Sequence, residues 1–217
     1  MGATDVLCVA HKVVSKAEGR TVRLDEVEPS TRARALAQEH GKDARLLELV
    51  LAETSEVLRA ERGVLVCRTH HGFVCANAGV DVSNSAPGVA VLLPADPDGS
   101  ARALRERIAA ERGVRPAVVV SDSFGRAWRL GQTDVAIGVA GLVALDDWRG
   151  REDAHGRDLR ATAIAVADAV AGAADLGRAK CSREPAVLVR GLERFVTAED
   201  GPGAAVLRRP PEQDLFV

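Results

Sequence analysis

The sequence predicts an α+β protein with mixed or antiparallel sheets and flanking helices. Three observations lead there. Short apolar runs of strand character and longer amphipathic stretches are intermixed along 217 residues without regular alternation. Neither a G-x-G-x-x-G turn nor a G-x-x-x-x-G-K-[ST] loop occurs, so the standard nucleotide-binding folds are not expected. Aromatic residues make up 3% and Tyr is absent, so the core must be built from Ala, Val and Leu. The length suits one medium domain or two small lobes, and no repeat or linker interrupts it; residues 1–217 are read as a single domain.

Asp5 to Val14 (DVLCVAHKVV) reads as a strand almost from the first residue. Opening on a core strand leads us to expect that an upstream segment has been lost. Ser30 is placed to cap a short helix from Thr31 to Gln38, because its hydroxyl can accept from an otherwise unpaired amide of the first turn. A longer helix is expected over 43–61, with Leu46, Leu47, Leu49, Val50, Val57 and Leu58 on its buried stripe. Val64–Cys67 and Phe73–Ala76 form a hairpin around Thr69–Gly72, followed by a loop over Asn77–Gly88. The Asp96–Ser100 turn feeds a helix over 101–111, and Ala117–Val120 is a continuous apolar strand ending in Ser121-Asp122-Ser123. A polar loop, Phe124–Asp134, leads into the glycine-interrupted strand or strands of Val135–Leu145. An Ala-rich helix over 161–174 and a strand over 186–189 complete the core.

Composition narrows the function. The formal net charge is −2, so no overall positive field draws the molecule to nucleic acid or anionic lipid. The longest apolar run, Val135–Leu145, falls short of the roughly 18 residues of a membrane span. No secretory signal is visible, and a cytoplasmic location is expected. Cys8, Cys67, Cys75 and Cys181 lie far apart with no C-x-x-C pair, which argues for buried thiols rather than zinc or disulfides. The five histidines show no metal-site spacing, and no G-x-S-x-G elbow is present.

Four polar, glycine-containing segments at strand ends could carry chemistry. In Val14–Arg20, Lys16 leaves the opening strand for a turn, where its ammonium could meet a phosphate or simply be solvated. In Ala78–Asn84, Asp81 is a hard oxygen donor and Asn84 can donate and accept; an Asx turn is the alternative. Asp122 ends a buried strand, a costly place for a charge unless a cation matches it, and Ser123 could be an additional ligand. In Phe124–Asp134, Arg126 and Arg129 offer planar forks for phosphate or carboxylate, and Trp128 either offers an aromatic face or anchors the loop to the core.

VVSKAEGR (Val13–Arg20), AGVDVSN (Ala78–Asn84), VVVSDSFGRAWRLGQTDVAIGVAGL (Val118–Leu142) and PAVLVRG (Pro185–Gly191) together resemble the coenzyme F420-0:L-glutamate ligases, as does the ending Asp214-Leu215-Phe216. The resemblance covers nearly the whole chain from Asp5, and the GRAWR-x-GQTD stretch is its most specific part. It implies an intertwined α+β homodimer that uses GTP and Mg²⁺ or Mn²⁺ to join L-glutamate to coenzyme F420-0, through an acyl phosphate on the lactyl carboxylate. Asp81 and Asp122 match metal ligands, with Ser123 at a position usually Thr or Ser. Lys16 and Asn84 match GTP contacts, and His11 stands where a small hydroxyl residue usually meets the nucleotide. Residues Gly177–Glu184 lie where the family wraps the nucleotide, but Arg178 and Lys180 replace a more acidic or amide-bearing loop. Arg126 and Arg129 are our own candidates for gripping the coenzyme phosphate or glutamate.

Two departures shape the alternative. The family's Gly-Leu-Pro-Glu-like nucleotide contact upstream of the first strand is absent, and so is the flavin-dependent reductase domain of the bifunctional form. The second implies ligation only. The first leaves open a catalytically weak nucleotide- or coenzyme-binding relative acting as a partner subunit.

Overall fold

A computed structural model describes residues 1–179 and 181–214, and within them the chain divides into two compact units. One comprises Met1–Ala10, Pro97–Ser123 and Thr133–Pro210; the other comprises His11–Asp96, Phe124–Gln132 and the described residues from Pro211 onward. The expected α+β class holds, with mixed sheets.

In chain order, β1 is Val6–Ala10 and α1 is His11–Ala17. The strand expected to reach Val14 therefore stops at Ala10, and His-Lys-Val-Val-Ser-Lys-Ala coils into two helical turns. Apolar Val13 and Val14 had suggested strand, but Val13 is exposed and the buried side chains are His11 and Ser15, four apart. β2 is Thr21–Arg23. Helix α2, Thr31–His40, begins as expected: the Ser30 hydroxyl accepts from the Ala33 amide, and Gly41 ends the helix in the left-handed region.

Helix α3 covers only Ala44–Ala52, with Asp43 as its cap, and β3 takes Thr54–Glu61. The single helix expected over 43–61 is thus a helix followed by a strand. Thr54 marks the change by returning its hydroxyl to the Val50 carbonyl, and β-branched Thr54 and Val57 suit the strand β3 forms with β4. Strands β4 (Val64–Thr69) and β5 (Val74–Ala76) form the anticipated hairpin, and β6 is Val89–Val91. Helix α4 runs Pro97–Arg112, beginning inside the expected turn because proline is well placed in a first helical turn.

Strands β7 (Ala117–Arg126) and β8 (Arg129–Ala140) overturn a second expectation. Phe124–Asp134 is no polar loop but the outer part of a β-hairpin turned by Ala127 and Trp128, with Trp128 at φ +57°. Strand β9 is Leu145–Asp147 and β10 is Ala163–Ala165, so helix α5, Val166–Leu176, starts later than its Ala-rich composition suggested. Strand β11 is Ala186–Val189, as expected.

In the first unit the sheet order is β11-β1-β7-β8, with β1 parallel to β7 and antiparallel to β11. Its core joins Val6, Cys8, Ala117 and Val119 to Val166, Val170, Ala171 and Ala174 of α5. All of Ala117–Val120 is buried, as a strand covered on both faces requires. Arg105, 1% exposed, donates to the carbonyls of Pro116, Thr197 and Ala198 and pairs with Asp200. In the second unit, α2, α3 and β4 enclose Ala33, Leu47, Val50, Leu65 and Cys67, beside the separate pair β2–β6. Cys8, Cys67 and Cys75 are buried thiols as expected, but Cys181 is exposed. Among the described residues no helix is long and apolar enough to cross a membrane.

Close packing at Gly138 gives a direct check on the first unit. A Cβ there would lie 2.1 Å from the Pro97 carbonyl oxygen, a backbone atom that cannot turn aside. Gly138→Ala is therefore expected to cost about 1–3 kcal/mol of stability by overpacking, read from chemical denaturation; an unchanged midpoint contradicts this packing.

Candidate active site

The loop carrying Asp81 begins with Asn77, Ala78 and Gly79 all in the left-handed region, at φ 51°, 52° and 72°. Asn and Gly enter that region easily, whereas Ala78 does so at a cost of about 1 kcal/mol. The surrounding structure holds the turn: the Asn77 side-chain carbonyl accepts from the Leu65 amide, and Ala78 is buried. Asp81 then exchanges both backbone hydrogen bonds with Val91, so its carboxylate leaves a pinned backbone.

That carboxylate is surrounded by donors. Lys12 Nζ lies 2.5 Å from Asp81 Oδ2 and 2.7 Å from Ser83 Oγ. The Ser83 amide donates to Oδ1 at 2.7 Å and its hydroxyl to Oδ2 at 2.8 Å. Partial burial works to raise the Asp81 carboxyl, but the Lys12 and Ser83 hydrogen bonds and the Lys12 charge outweigh it, and Asp81 sits below the usual carboxylate value. The Asx turn considered from sequence is present in the Ser83 amide contact, together with a cation on the same carboxylate.

Lys16 stands one helical turn after Lys12 on α1 and donates to the Asn84 carbonyl at 2.6 Å. It occupies the last turn of a helix rather than a strand exit. Asn84 is left-handed at φ 53°. His11 is buried at the start of α1, with Nδ1 3.3 Å from Ser15 Oγ. Thus His11, Lys16, Asn84 and Asp81 all belong to the second unit, whereas Asp122 and Ser123 belong to the first.

In the first unit, Ser121 and Ser123 are two apart on β7 and share a face, while Asp122 points to the other. Ser121 Oγ donates to Asp134 Oδ2 and Ser123 Oγ to Asp134 Oδ1, both at 2.7 Å. Asp134, on β8, is 5% exposed and forms an ion pair with Arg178. Arg178 also donates to Ser121 Oγ at 3.1 Å and to the Pro185 carbonyl at 3.2 Å. Burial pushes the Cys8 thiol up, opposed by its hydrogen bond to Ser121 and the Arg178 charge. Asp122 Oδ1 accepts from the Ser123 amide at 2.8 Å and is half-buried.

Arg126 and Arg129 lie on the exposed hairpin arm, and Arg126 donates to the Leu130 carbonyl at 3.1 Å. Trp128, weighed from sequence as an anchor to the core, is 82% exposed, and Leu130 is 99% exposed. In the Gly177–Glu184 segment Arg178 is tied inward to Asp134, and Lys180 lies outside the described residues, as do Leu215 and Phe216 of the family-like ending.

Sequence reading gave no role to Lys12 or Asp134, and noted Arg178 only as a basic departure in the Gly177–Glu184 segment. The i, i+4 spacing of Lys12 and Lys16 would have shown Lys12 had α1 been recognised as a helix. A hairpin assignment for 117–140 would have set Asp134 against Ser-x-Ser across the strands.

Comparison with known proteins decides the family. The F420-0:gamma-glutamyl ligase profile matches residues 1–191. The chain belongs to that family. A coenzyme F420:L-glutamate ligase of Methanopyrus kandleri is 44% identical over 214 residues, covering 98% of this chain and 85% of the relative. Its counterpart in Methanothermobacter thermautotrophicus is 44% identical over 98% of this chain and 84% of the relative. That of Archaeoglobus fulgidus is 46% identical over 87% and 76%. The resemblance first carried by GRAWR-x-GQTD is thereby established, and membership makes the chain a ligase that forms amide bonds.

For this ligase the Asp81 environment has a measurable consequence. Its folded carboxyl value lies below the unfolded one, so the stabilisation is present above the ordinary carboxylate range and is lost as pH falls through the folded value. Lys12→Met removes the ammonium and leaves burial less opposed. The Asp81 carboxyl resonance, followed by NMR, is expected to titrate higher than in wild type; an unmoved titration rules out Lys12 as the controlling partner.

Proposed function

We propose that the chain attaches L-glutamate to coenzyme F420-0 in F420 biosynthesis, using GTP and a divalent cation, Mg²⁺ or Mn²⁺. The observation that carries this reading is the identity of 44% over 98% of the chain with relatives named for joining L-glutamate to coenzyme F420. The nucleotide and metal are supported by the chemistry of the side chains.

Among the described residues no three His, Cys, Asp or Glu side chains gather into a metal cluster. This fits Mg²⁺ or Mn²⁺, which typically bind through only one or two protein carboxylates and complete their shell with water and substrate phosphates. Asp81, already matched by an ammonium, and Asp122 are the carboxylates we assign to the cations, with Ser123 as a neutral oxygen donor. A divalent cation supplies charge neutralisation and Lewis acidity on the phosphate oxygens.

The chain's own groups complete the positive field. Lys16 and Asn84 are assigned to the nucleotide, and so is His11, at the start of the same helix α1. Once divalent charge is present, Lys12 can exchange Asp81 for a phosphate oxygen. The lactyl carboxylate attacks the γ-phosphorus, GDP leaves, and an acyl phosphate forms. The glutamate amine then attacks the acyl carbon, phosphate departs with the C–O bonding pair, and the amine proton passes to solvent. No covalent protein nucleophile is needed. Arg126 and Arg129 are assigned to the anionic coenzyme or glutamate. A homodimer belongs to the same reading, and the exposed Trp128 and Leu130 offer it an apolar surface.

Purified protein supplied with coenzyme F420-0, L-glutamate, GTP and Mn²⁺ is expected to give a glutamylated product by mass spectrometry. Asp122→Asn is expected to lower the rate by about a hundredfold or more, near 3 kcal/mol of lost stabilisation, with an unchanged circular dichroism spectrum. Near-normal turnover excludes Asp122 from metal binding. GTP binding without turnover in the wild type would identify a non-catalytic relative.

A further inference from the structure

Three of the four cysteines are buried, and β4 and β5 bring two of them together. In the register of that hairpin Cys67 stands directly opposite Cys75, with Val66 opposite Ala76 and Arg68 opposite Val74. Residues paired this way point to the same face of a sheet. Cys67 is 0% and Cys75 7% exposed, so that face is the inner one at both positions. Their spacing in sequence, without a C-x-x-C pattern, gives no hint of the pairing; the strand register supplies it.

The backbone spacing suits a disulfide. The Thr69 amide donates to the Phe73 carbonyl at 2.8 Å, which makes Thr69 and Phe73 a hydrogen-bonded pair at the closed end of the hairpin. Pair type alternates along an antiparallel ladder, so Cys67 and Cys75, two residues further on, are a hydrogen-bonded pair as well. Such pairs hold their Cα atoms about 5.5 Å apart, inside the range of roughly 4.4–6.8 Å that disulfides span. Their Cβ atoms start about 1 Å wider than a relaxed disulfide prefers, which makes the bond easy to reduce again.

We propose that Cys67 and Cys75 are a reversible oxidation site, closing in the presence of hydrogen peroxide to a disulfide that clamps β5 to β4. Cys75 lies on β5, a three-residue strand at the sheet edge, where local opening admits a small oxidant. Its sulfur, as thiolate, attacks peroxide; the O–O bond breaks, and the departing hydroxide takes up a proton to leave as water. The sulfenic acid so formed is attacked by the Cys67 sulfur. An S–S bond forms, the S–O bond breaks, and hydroxide leaves with the Cys67 proton as a second water. Burial pushes the Cys67 thiol up, against hydrogen bonds with Thr54 and the Ala78 backbone, so this sulfur is the resolving partner rather than the first to react. Its position across the ladder compensates for its reluctance to ionise. Two residues beyond Cys75 the chain enters the left-handed turn at Asn77 that leads to Asp81, so the clamp restrains the strand feeding that turn.

The test is peroxide treatment of the full chain carrying Cys181→Ser, which removes the exposed thiol. Trypsin cuts after Arg62, Arg68 and Arg102, so Cys67 and Cys75 fall in separate peptides, 63–68 and 69–102. The expected product is a linked pair of these peptides, two hydrogens lighter than their sum, that separates on treatment with reduced glutathione. Cys8 should remain a thiol. Amide exchange over residues 74–77 should slow about tenfold or more in the oxidised protein, because opening the edge then works against the cross-link. Cys67→Ala should give no linked peptide and leave Cys75 as a sulfenic acid captured by dimedone.

The proposal falls if peroxide leaves both thiols intact, or carries Cys75 to the sulfinic acid with Cys67 still reduced. It falls equally if linked peptides accumulate only in step with loss of the folded circular dichroism signal, since they then report an unfolded chain. A linked pair that glutathione leaves whole overturns the reversibility, and exchange over 74–77 that oxidation does not change overturns the clamp. Should Cys67→Ala fail to fold, Cys75→Ala supplies the control: no linked peptide and no dimedone on Cys67, because the thiol that peroxide reaches first is gone. Dimedone capture at Cys67 in that variant overturns the assigned order of attack.

Discussion

A carboxylate withdrawn from water must be matched by positive charge or by hydrogen-bond donors, and that constraint organises both units. Asp134 meets Arg178 and two serines, Asp200 meets the buried Arg105, Asp81 meets Lys12, and Glu53 meets Arg20. Losing one member of such a pair leaves the other uncompensated, a larger penalty than the pair's net contribution to stability. The proposed reaction faces the same difficulty, because a substrate carboxylate must approach a triphosphate. Cations are what make either arrangement tolerable.

The two candidate carboxylates are prepared differently. Asp81 sits on a strained left-handed turn, pinned by Val91 and already holding an ammonium. Asp122 does not end its strand as expected but lies midway along β7, just past the buried run Ala117–Ser121, with alternate side chains directed to opposite faces. The rigidity of each comes from local backbone hydrogen bonding and packing, so each carboxylate is positioned before any ligand arrives. Lys12 and Lys16, one turn apart on α1, hold the Asp81–Asn84 loop, and in the proposed reading the same ammonium groups face the nucleotide phosphates.

Much of this was legible in the residues. Ser30 announced a helix start and met the expected amide, and Ala186–Val189 read correctly as a strand. The family motif named Asp81 and Asp122, and their role with a cation belongs to the proposed reading. The failures share a cause, since local propensity was asked to decide what partner strands decide. Val13 and Val14 favour strand, but among the described residues no strand pairs with them and the chain coils. Leu46–Leu58 looked like one helical stripe until β4 claimed Thr54–Glu61 by pairing. Residues 125–132 form an exposed hairpin arm, and polarity alone cannot tell an arm from a loop. The contacts of Lys12, Asp134 and Arg178 were not legible because they span 69, 11 and 44 residues.

The central claim is that cations allow a carboxylate to attack GTP and form an acyl phosphate. Coenzyme F420-0 carrying ¹⁸O in its lactyl carboxylate tests this directly when incubated with the protein, L-glutamate, GTP and Mn²⁺. The account requires each glutamylation to release inorganic phosphate bearing one ¹⁸O, seen as a shifted phosphorus resonance. Product formed with only unlabelled phosphate would contradict it.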